Sequence, residues 1–460
     1  MSEQQSGLSS TRINKIGLFH LGSGMADVLM TGVWNRIMIS DLGYSATVVG
    51  FLAAMRYFLA PLGIWAGRIS DSRAIGGYRR LFWIGTGRGM MVVSTFILGL
   101  GTAQLARTPG ESTALLWGVI VLAMLLFSIG NAFSGGTFLA LIYDRTSQQQ
   151  RGRVIGIVWT WLLVGFTIGG ITFGLLLPEH KEGVTGLSFT PDALQNLFFL
   201  AGLMFATLWV TSMWGEERRT TTTGTAQHAN APERVSFRAD LKLVWNSQPM
   251  RMFLFFLGLS MFFAFSQDAI LEPFAGDVFN MPATTTNRFA GYWGSMSILG
   301  TLLFLWLSRR YPRLTSTLMS QMGIGVLIIA FAIFGVSSVA QIRPLVTPGL
   351  IVLGAGLGVW NVGTLGLMMT LSPSGRAGTF LGFWTMVVTL TRGGGVATGG
   401  VLRDALLAIS GQFSVAYGMV FVVGAVGLAI SGWALNLIDV KEYQSEQSVK
   451  AEAIFASSMD

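Results

Sequence analysis

"RGRVIGIVWTWLLVGFTIGGITFG", residues Arg151 to Gly174, lies without a gap on "RAGTFLGFWTMVVTLTRGGGVATG", residues Arg376 to Gly399. Arg151, Trp159, Thr160, Gly169, Gly170 and Gly174 meet Arg376, Trp384, Thr385, Gly394, Gly395 and Gly399. A match at that separation makes one half of the chain a copy of the other. Both stretches are apolar and long enough to cross a bilayer, which takes about 20 residues.

Twelve such segments run along the chain, at 17–40, 44–67, 81–103, 114–142, 154–177, 195–214, 249–271, 289–307, 315–338, 346–370, 378–402 and 413–437. The quoted pair are helices 5 and 11. Helices 1 and 7 match more weakly, with Leu21-Gly22 against Leu257-Gly258 and Met25 against Met261. The composition agrees, 52% apolar and 11% charged, where soluble domains carry about 25% charge. The expected fold is an all-α polytopic membrane protein of two pseudo-symmetric six-helix halves, 17–214 and 249–437. A linker at 215–248 joins them, and polar tails flank them at 1–16 and 438–460. Parallel repeats about an axis along the membrane normal are a transporter-type architecture. The polar start "MSEQQSGLSSTRINK" has no short apolar core before a cleavage site, so no cleavable leader is expected.

The net charge of +8 follows topology and calls for no nucleic-acid partner. Loops on the side of the termini hold twenty-one Lys and Arg. The other side holds five: Arg107, Lys181, Arg288, Arg343 and Arg403. The positive-inside rule then puts both termini in the cytoplasm. With no Cys and three His, thiolate chemistry is excluded and no protein-ligated metal cluster is expected. Nor is there a nucleotide loop or a nucleophile–base set, so no enzyme is expected.

The chemistry sits in the first helix, "GLFHLGSGMADVLMTGVWNRIMI". An Asp or Arg at a helix centre costs about 2.5–3.5 kcal/mol on insertion scales. His20, Ser23, Asp27, Thr31 and Asn35 recur at 3, 4, 4 and 4, so they form one seam toward the bundle interior. Helix 2 carries a matching stripe, Ala53, Arg56, Ala60, Gly63 and Gly67, that turns Arg56 inward. Asp27 is its expected partner. His20 has two readings, an axial metal ligand or an interhelical hydrogen-bonding group. Asn131, Asn361, Gln267 and Glu272 are further donors, with Asp268 and Glu272 expected near the outer face. Trp159 and Trp384 hold matched positions from which they either pack or sandwich a flat ligand. The glycines of helices 5, 10 and 11 read first as close-packing positions.

The loop "GRISDSRAIGGYRR", with Gly67, Asp71, Arg73, Arg79 and Arg80, resembles the cytoplasmic signature of the major facilitator superfamily. Ser72 departs from it, and the second half keeps only the arginines. More specifically, "GLFHLGSGMADVL", "TGVWNRIMI", "RYFLAPLGIWAGRISD", "GGYRRLFW" and "QDAILEP" resemble the PucC/LhaA family over nearly all of 12–438. That resemblance implies a light-harvesting complex assembly factor in a bacterial inner or intracytoplasmic photosynthetic membrane. Its partners would be antenna polypeptides, with the reaction centre or the insertion machinery, and its cofactor (bacterio)chlorophyll. No family motif assigns the site residues; by donor chemistry His20 is the candidate ligand of the chlorin Mg, with Asp27, Asn35, Arg56, Asn131, Trp159, Glu272, Asn361 and Trp384 as candidates around the pigment. The alternative is a secondary transporter of a tetrapyrrole or other amphipathic anion.

Overall fold

The computed structural model describes residues 8–108, 113–147, 150–177, 187, 189–217, 219, 248–371 and 377–438. Most of the linker, the C-tail and Arg376 of the repeat lie outside the described residues. Ten helices are long and apolar enough to span: Ser10–Asp41, Ala46–Ser72, Leu81–Arg107, Ala114–Arg145, Arg151–Leu176, Pro191–Met213, Ala283–Arg310, Ser316–Val339, Arg343–Leu371 and Phe413–Leu435. Gln248–Ala264 with Leu271–Phe279 forms helix 7, and Ala377–Ser410 forms helix 11. The order is therefore the expected twelve.

The helix starts are written in the sequence. Ser45, Thr113, Thr190 and Thr315 accept from the backbone N–H groups of Val48, Leu116, Ala193 and Leu318. Each satisfies a donor that has no intrahelical partner. Pro191 follows Thr190 in the first turn, where its missing N–H costs nothing. Helix 2 is interrupted around Leu59–Pro61, between Ala46–Phe58 and Leu62–Ser72, as a proline inside a helix demands.

Two breaks are not legible in this way. Helix 1 turns from α to π geometry over Leu29–Trp34 and again over Ile37–Asp41. Helix 7 unwinds between Ala264 and Leu271 into short turns, Asp268 N–H donating to Phe265 O and Ile270 N–H to Gln267 O. Neither stretch holds a proline, but Pro273 follows the second within one turn and leaves the Ala269 carbonyl without its helical donor. Both face the middle of the molecule.

One buried cluster draws almost wholly on helices 1–6, the other on helices 7–12. Inside each half, glycines set the closest crossings. A Cβ on Gly24 of helix 1 would fall on the Leu162 carbonyl of helix 5, and one on Gly165 would fall on the Leu21 carbonyl. In the other half, Gly395 and Gly399 of helix 11 stand in the same way against the Phe262 and Ser266 carbonyls of helix 7. Helix 1 against 5 and helix 7 against 11 are the pairs that the repeat equates.

The halves meet chiefly along helices 2 and 11 and helices 5 and 8. Gly50 lies against Val396 and Gly400, and Gly170 against Gly291 and Asn287. All of these sit at the end opposite the termini. Polar bonds seal the same end. The Asp404 carboxylate accepts from Ser45 Oγ at 2.6 Å, Thr47 N at 2.8 Å and Ala46 N at 3.2 Å, capping helix 2 from the other half. Arg36 donates across to Met281 O at 2.9 Å. Within the second half, Arg403 braces Asp404 at 2.8 Å and pairs with Asp277 at 2.7 Å. The bundle is thus fastened on the far side from its termini.

Candidate functional site

The centre of the molecule is a charge network. Arg56 of helix 2 forms an ion pair with Asp27 of helix 1, as the two seams require. Arg392 of helix 11 joins it, 2.9 Å from Asp268 Oδ2 and 3.8 Å from Asp27 Oδ2. Tyr57 ties the two cations together. Its hydroxyl is 2.7 Å from Arg56 Nη2, and its ring lies under Arg56 at 4.7 Å and Arg392 at 5.1 Å. Phe265, in the unwound part of helix 7, carries Arg392 on its ring at 4.1 Å. Gln267 donates to Asp268 Oδ1 at 2.7 Å. Two guanidinium groups are therefore matched by two carboxylates, the arrangement that makes buried charge tolerable in a bilayer.

Asp27, Thr31, Gly32, Asp268, Glu272 and Arg392 line one small cavity between the halves, closed on its other side by Phe166 and Trp293. Asp268 and Glu272 are not near the outer face, where their sequence position had put them. The break in helix 7 returns them to the level of Asp27, so three acids share one space. The cavity holds about 20 Å³, room for a water molecule or two. Small-molecule pockets run to about 300–1,000 Å³. No macrocycle enters there in this conformation.

The nine residues expected around a pigment do not converge. Asp27, Arg56 and Glu272 meet at the centre. Asn35 leaves the seam, because the π turns before it take more residues than an α turn. It is fully buried, with neither amide atom partnered, and does not line the cavity. Asn361 is exposed on helix 10 and Asn131 half-buried on helix 4. Trp384 packs against the core of the second half, its indole N–H without a partner. Trp159 is 47% exposed and stacks on His20, ring centroids 5.4 Å apart.

His20 itself sits among helices 1, 4 and 5, with Phe19 and Phe138 at its edge and Trp159 over its face. Both ring nitrogens are buried without a hydrogen-bond partner. The interhelical hydrogen bond that would explain this residue blandly is absent among the described residues. The same rings close both nitrogens off, so a ligand reaches His20 only if a neighbour such as Trp159 moves aside.

Sequence reading passed over Arg88, a lone cation between Gly87 and Gly89 in the first half of helix 3. It also missed the roles of Tyr57, Phe265 and Arg392 in the network. A cation inside a spanning segment is the signal for Arg88 and Arg392. Tyr57 and Phe265 carry none, since aromatic residues are common in every helix here.

The signature loop makes a clamp within the first half. Arg80 binds Asp71 at 2.6 Å, Asp144 at the end of helix 4 at 2.9 Å and Ser70 Oγ at 2.6 Å. Arg79 donates to Asp71 O at 2.7 Å. Glu217 caps helix 3 through the N–H groups of Arg79, Arg80 and Leu81. Arg73 is exposed, and Gly67 leaves open space where a Cβ would stand.

The fold is shared with solved transporters. A bacterial homologue of the human lysosomal transporter Spinster, inward-facing and unoccupied, matches with a TM-score of 0.69 at 14% identity, over 97% of this chain and 99% of that one. A bacterial homologue of the iron transporter ferroportin, also inward-facing, matches with a TM-score of 0.65 at 15% identity, over 95% and 100%. These likenesses establish a twelve-helix major facilitator fold. By sequence, the chain is 28% identical to Protein PucC of Rhodovulum sulfidophilum over 404 residues, 87% of this chain and 86% of that one. It is also 28% identical to the protein named bacteriochlorophyll synthase 44.5 kDa chain of Rhodobacter capsulatus over 416 residues, 89% and 91%. The family model described as PUCC protein matches residues 33–443. The chain, a multi-pass membrane protein built as two similar six-helix halves, therefore belongs to the PUCC protein family.

Proposed function

We propose that this protein is an assembly factor for bacterial light-harvesting antenna complexes, handling (bacterio)chlorophyll as antenna polypeptides enter the membrane. The match of residues 33–443 to the PUCC family carries the reading, and the photosynthetic relatives support it. The two lobes, 17–214 and 249–437, lie in a photosynthetic inner or intracytoplasmic membrane with both termini in the cytoplasm, where the basic loops belong. On this reading the protein binds and hands on rather than catalyses: its central Asp27, Arg56, Asp268 and Arg392 pair with one another. The relative named as a synthase chain is read as a partner in pigment traffic. Antenna polypeptides meet the lipid-facing helices, and the reaction centre or the insertion machinery lies alongside.

His20 would hold the pigment. The macrocycle supplies a large apolar surface and a central Mg that takes one axial donor. His20 offers an unpartnered nitrogen, and Trp159 a half-exposed ring beside it. With the central cavity too small for a chlorin, the pigment site lies in the first lobe, outside the ion network.

The test is colour. Purified from a pigment-making host, the protein should carry chlorin in a fixed ratio. His20→Leu should lose at least three-quarters of it. Because neither ring nitrogen has a hydrogen bond to lose, thermal stability should stay within about 1 kcal/mol of wild type. Full pigment content in a folded His20→Leu protein removes this residue from the site.

A second reading, transport of an amphipathic anion, is favoured by one observation. Among the described residues the hydrogen bonds that fasten the halves lie at the end away from the termini, around a centre holding three acids. That is the arrangement of a rocking carrier. Ligand-dependent flux into liposomes by a colourless protein would establish it in place of the first.

A further inference from the structure

A second site lies away from the charge network, on the outside of the first half. Helices 3 and 6 leave a groove of about 700 Å³ between them, open to the bilayer. This volume is that of a small-molecule site. Ile84, Val92, Val210 and Met213 make its walls, and the exposed Val93 and Trp214 flank its open side. Gly85 and Gly89 form its floor; a Cβ on either would meet nothing within 4 Å. Here the missing side chains leave a trough, whereas the glycines of helices 1 and 5 serve contact between helices.

At the bottom stands Arg88, 4% exposed. Its guanidinium is held between the rings of Phe19 at 4.0 Å and Trp209 at 4.6 Å, with Nη1 on Met91 Sδ at 3.2 Å. Nε has no hydrogen-bond partner, and among the described residues no carboxylate pairs with it. Glu217, the one acid among the described residues lining the groove, already accepts three backbone N–H groups at the start of helix 3. Among the described residues the other buried arginines have acids: Arg36 has Asp41, Arg56 has Asp27, Arg80 has Asp144 and Arg403 has Asp277, while the partly buried Arg392 has Asp268. A desolvated cation with no protein partner calls for an anion from elsewhere.

Depth decides which anion. Helix 3 has 27 residues, about 40 Å at 1.5 Å per residue. The hydrocarbon core is about 30 Å, so roughly 5 Å of helix stands in the headgroup zone at each end. Arg88, seven residues in from Leu81, is then only about 5 Å below that boundary. We propose that the groove seats an acidic phospholipid of the leaflet on the termini's side. Its phosphate serves as counter-ion to Arg88, and its chains lie over Gly85 and Gly89. The open side faces lipid, so the ligand enters laterally, and a singly anionic amphipath matches one cation above apolar walls.

Native mass spectrometry of the full-length protein, titrated with phosphatidylglycerol or phosphatidylcholine of identical chains, tests this. Wild type should bind the acidic lipid at least tenfold more tightly. Arg88→Met should bring the two lipids level, while Arg88→Lys keeps part of the preference. Should Arg88→Met fail to fold, the double variant Gly85→Leu, Gly89→Leu decides, because its side chains enter open space. It should stay folded and lose the bound lipid. Equal binding of the two lipids by wild type overturns the proposal. So does an unchanged preference in the glycine variant, or an anionic species other than a phospholipid found in the groove.

Discussion

Replacing Asp27 by Leu should destabilise the protein by about 3–5 kcal/mol, the usual cost of stranding one partner of a buried ion pair. Arg56 is 6% exposed. Its remaining support would be the Tyr57 hydroxyl, a neutral group, while Arg392 at its side adds repulsion. In a thermal melt in detergent, Asp27→Leu should unfold well below wild type or aggregate during purification. Adding Arg56→Leu should restore most of the loss, since a buried pair replaced by apolar residues of similar volume is often near neutral. Arg392 would keep Asp268 at 2.9 Å. A double variant no better than Asp27→Leu alone would mean that the two residues are not energetically coupled.

Gly165→Leu should be comparably damaging for a different reason. A Cβ there lands on the Leu21 carbonyl and within 3.0 Å of the Gly24 Cα. Backbone of one helix meets backbone of the next, and no flexible side chain is available to yield. Overpacking typically costs about 1–3 kcal/mol where side chains can shift. Here helices 1 and 5 must separate along a crossing that lipid does nothing to hold together, so the loss should reach about 3 kcal/mol or more. Gly156→Leu on the same helix is the control, because its Cβ would meet nothing within 4 Å. Equal melting temperatures for the two variants would contradict the packing described.

The fold was open to sequence reading because lipid imposes a simple rule. Every spanning segment must be a long apolar helix, and the copied glycines and tryptophans of helices 5 and 11 revealed the doubling. The pairing of Asp27 with Arg56 was legible for the same reason. Asp27 is the acid nearest the middle of a first-half helix, so an inward-facing Arg56 has few other partners. What escaped depends on departures from the α-helix. The π turns of helix 1 carry no residue signature, so Asn35 was placed on a seam that the backbone abandons before reaching it. The unwinding of helix 7 is announced only by Pro273, which cannot donate to the Ala269 carbonyl four residues back. Sequence reading passed over that signal, so Asp268 and Glu272 were put too far from the centre. The matched tryptophans misled in another way. Trp159 covers His20 while Trp384 fills the opposite core, because a repeat conserves position in the backbone and not the neighbour that a side chain meets. Arg88 was within reach, since a lone cation in a spanning segment is itself a signal.

The most direct test of an antenna-assembly role is the near-infrared spectrum of membranes from the native host lacking this gene. Antenna absorption should fall at least tenfold while pigment synthesis continues, and the wild-type gene should restore it. Unchanged antenna bands, or pigment synthesis halted at a precursor, would contradict the account.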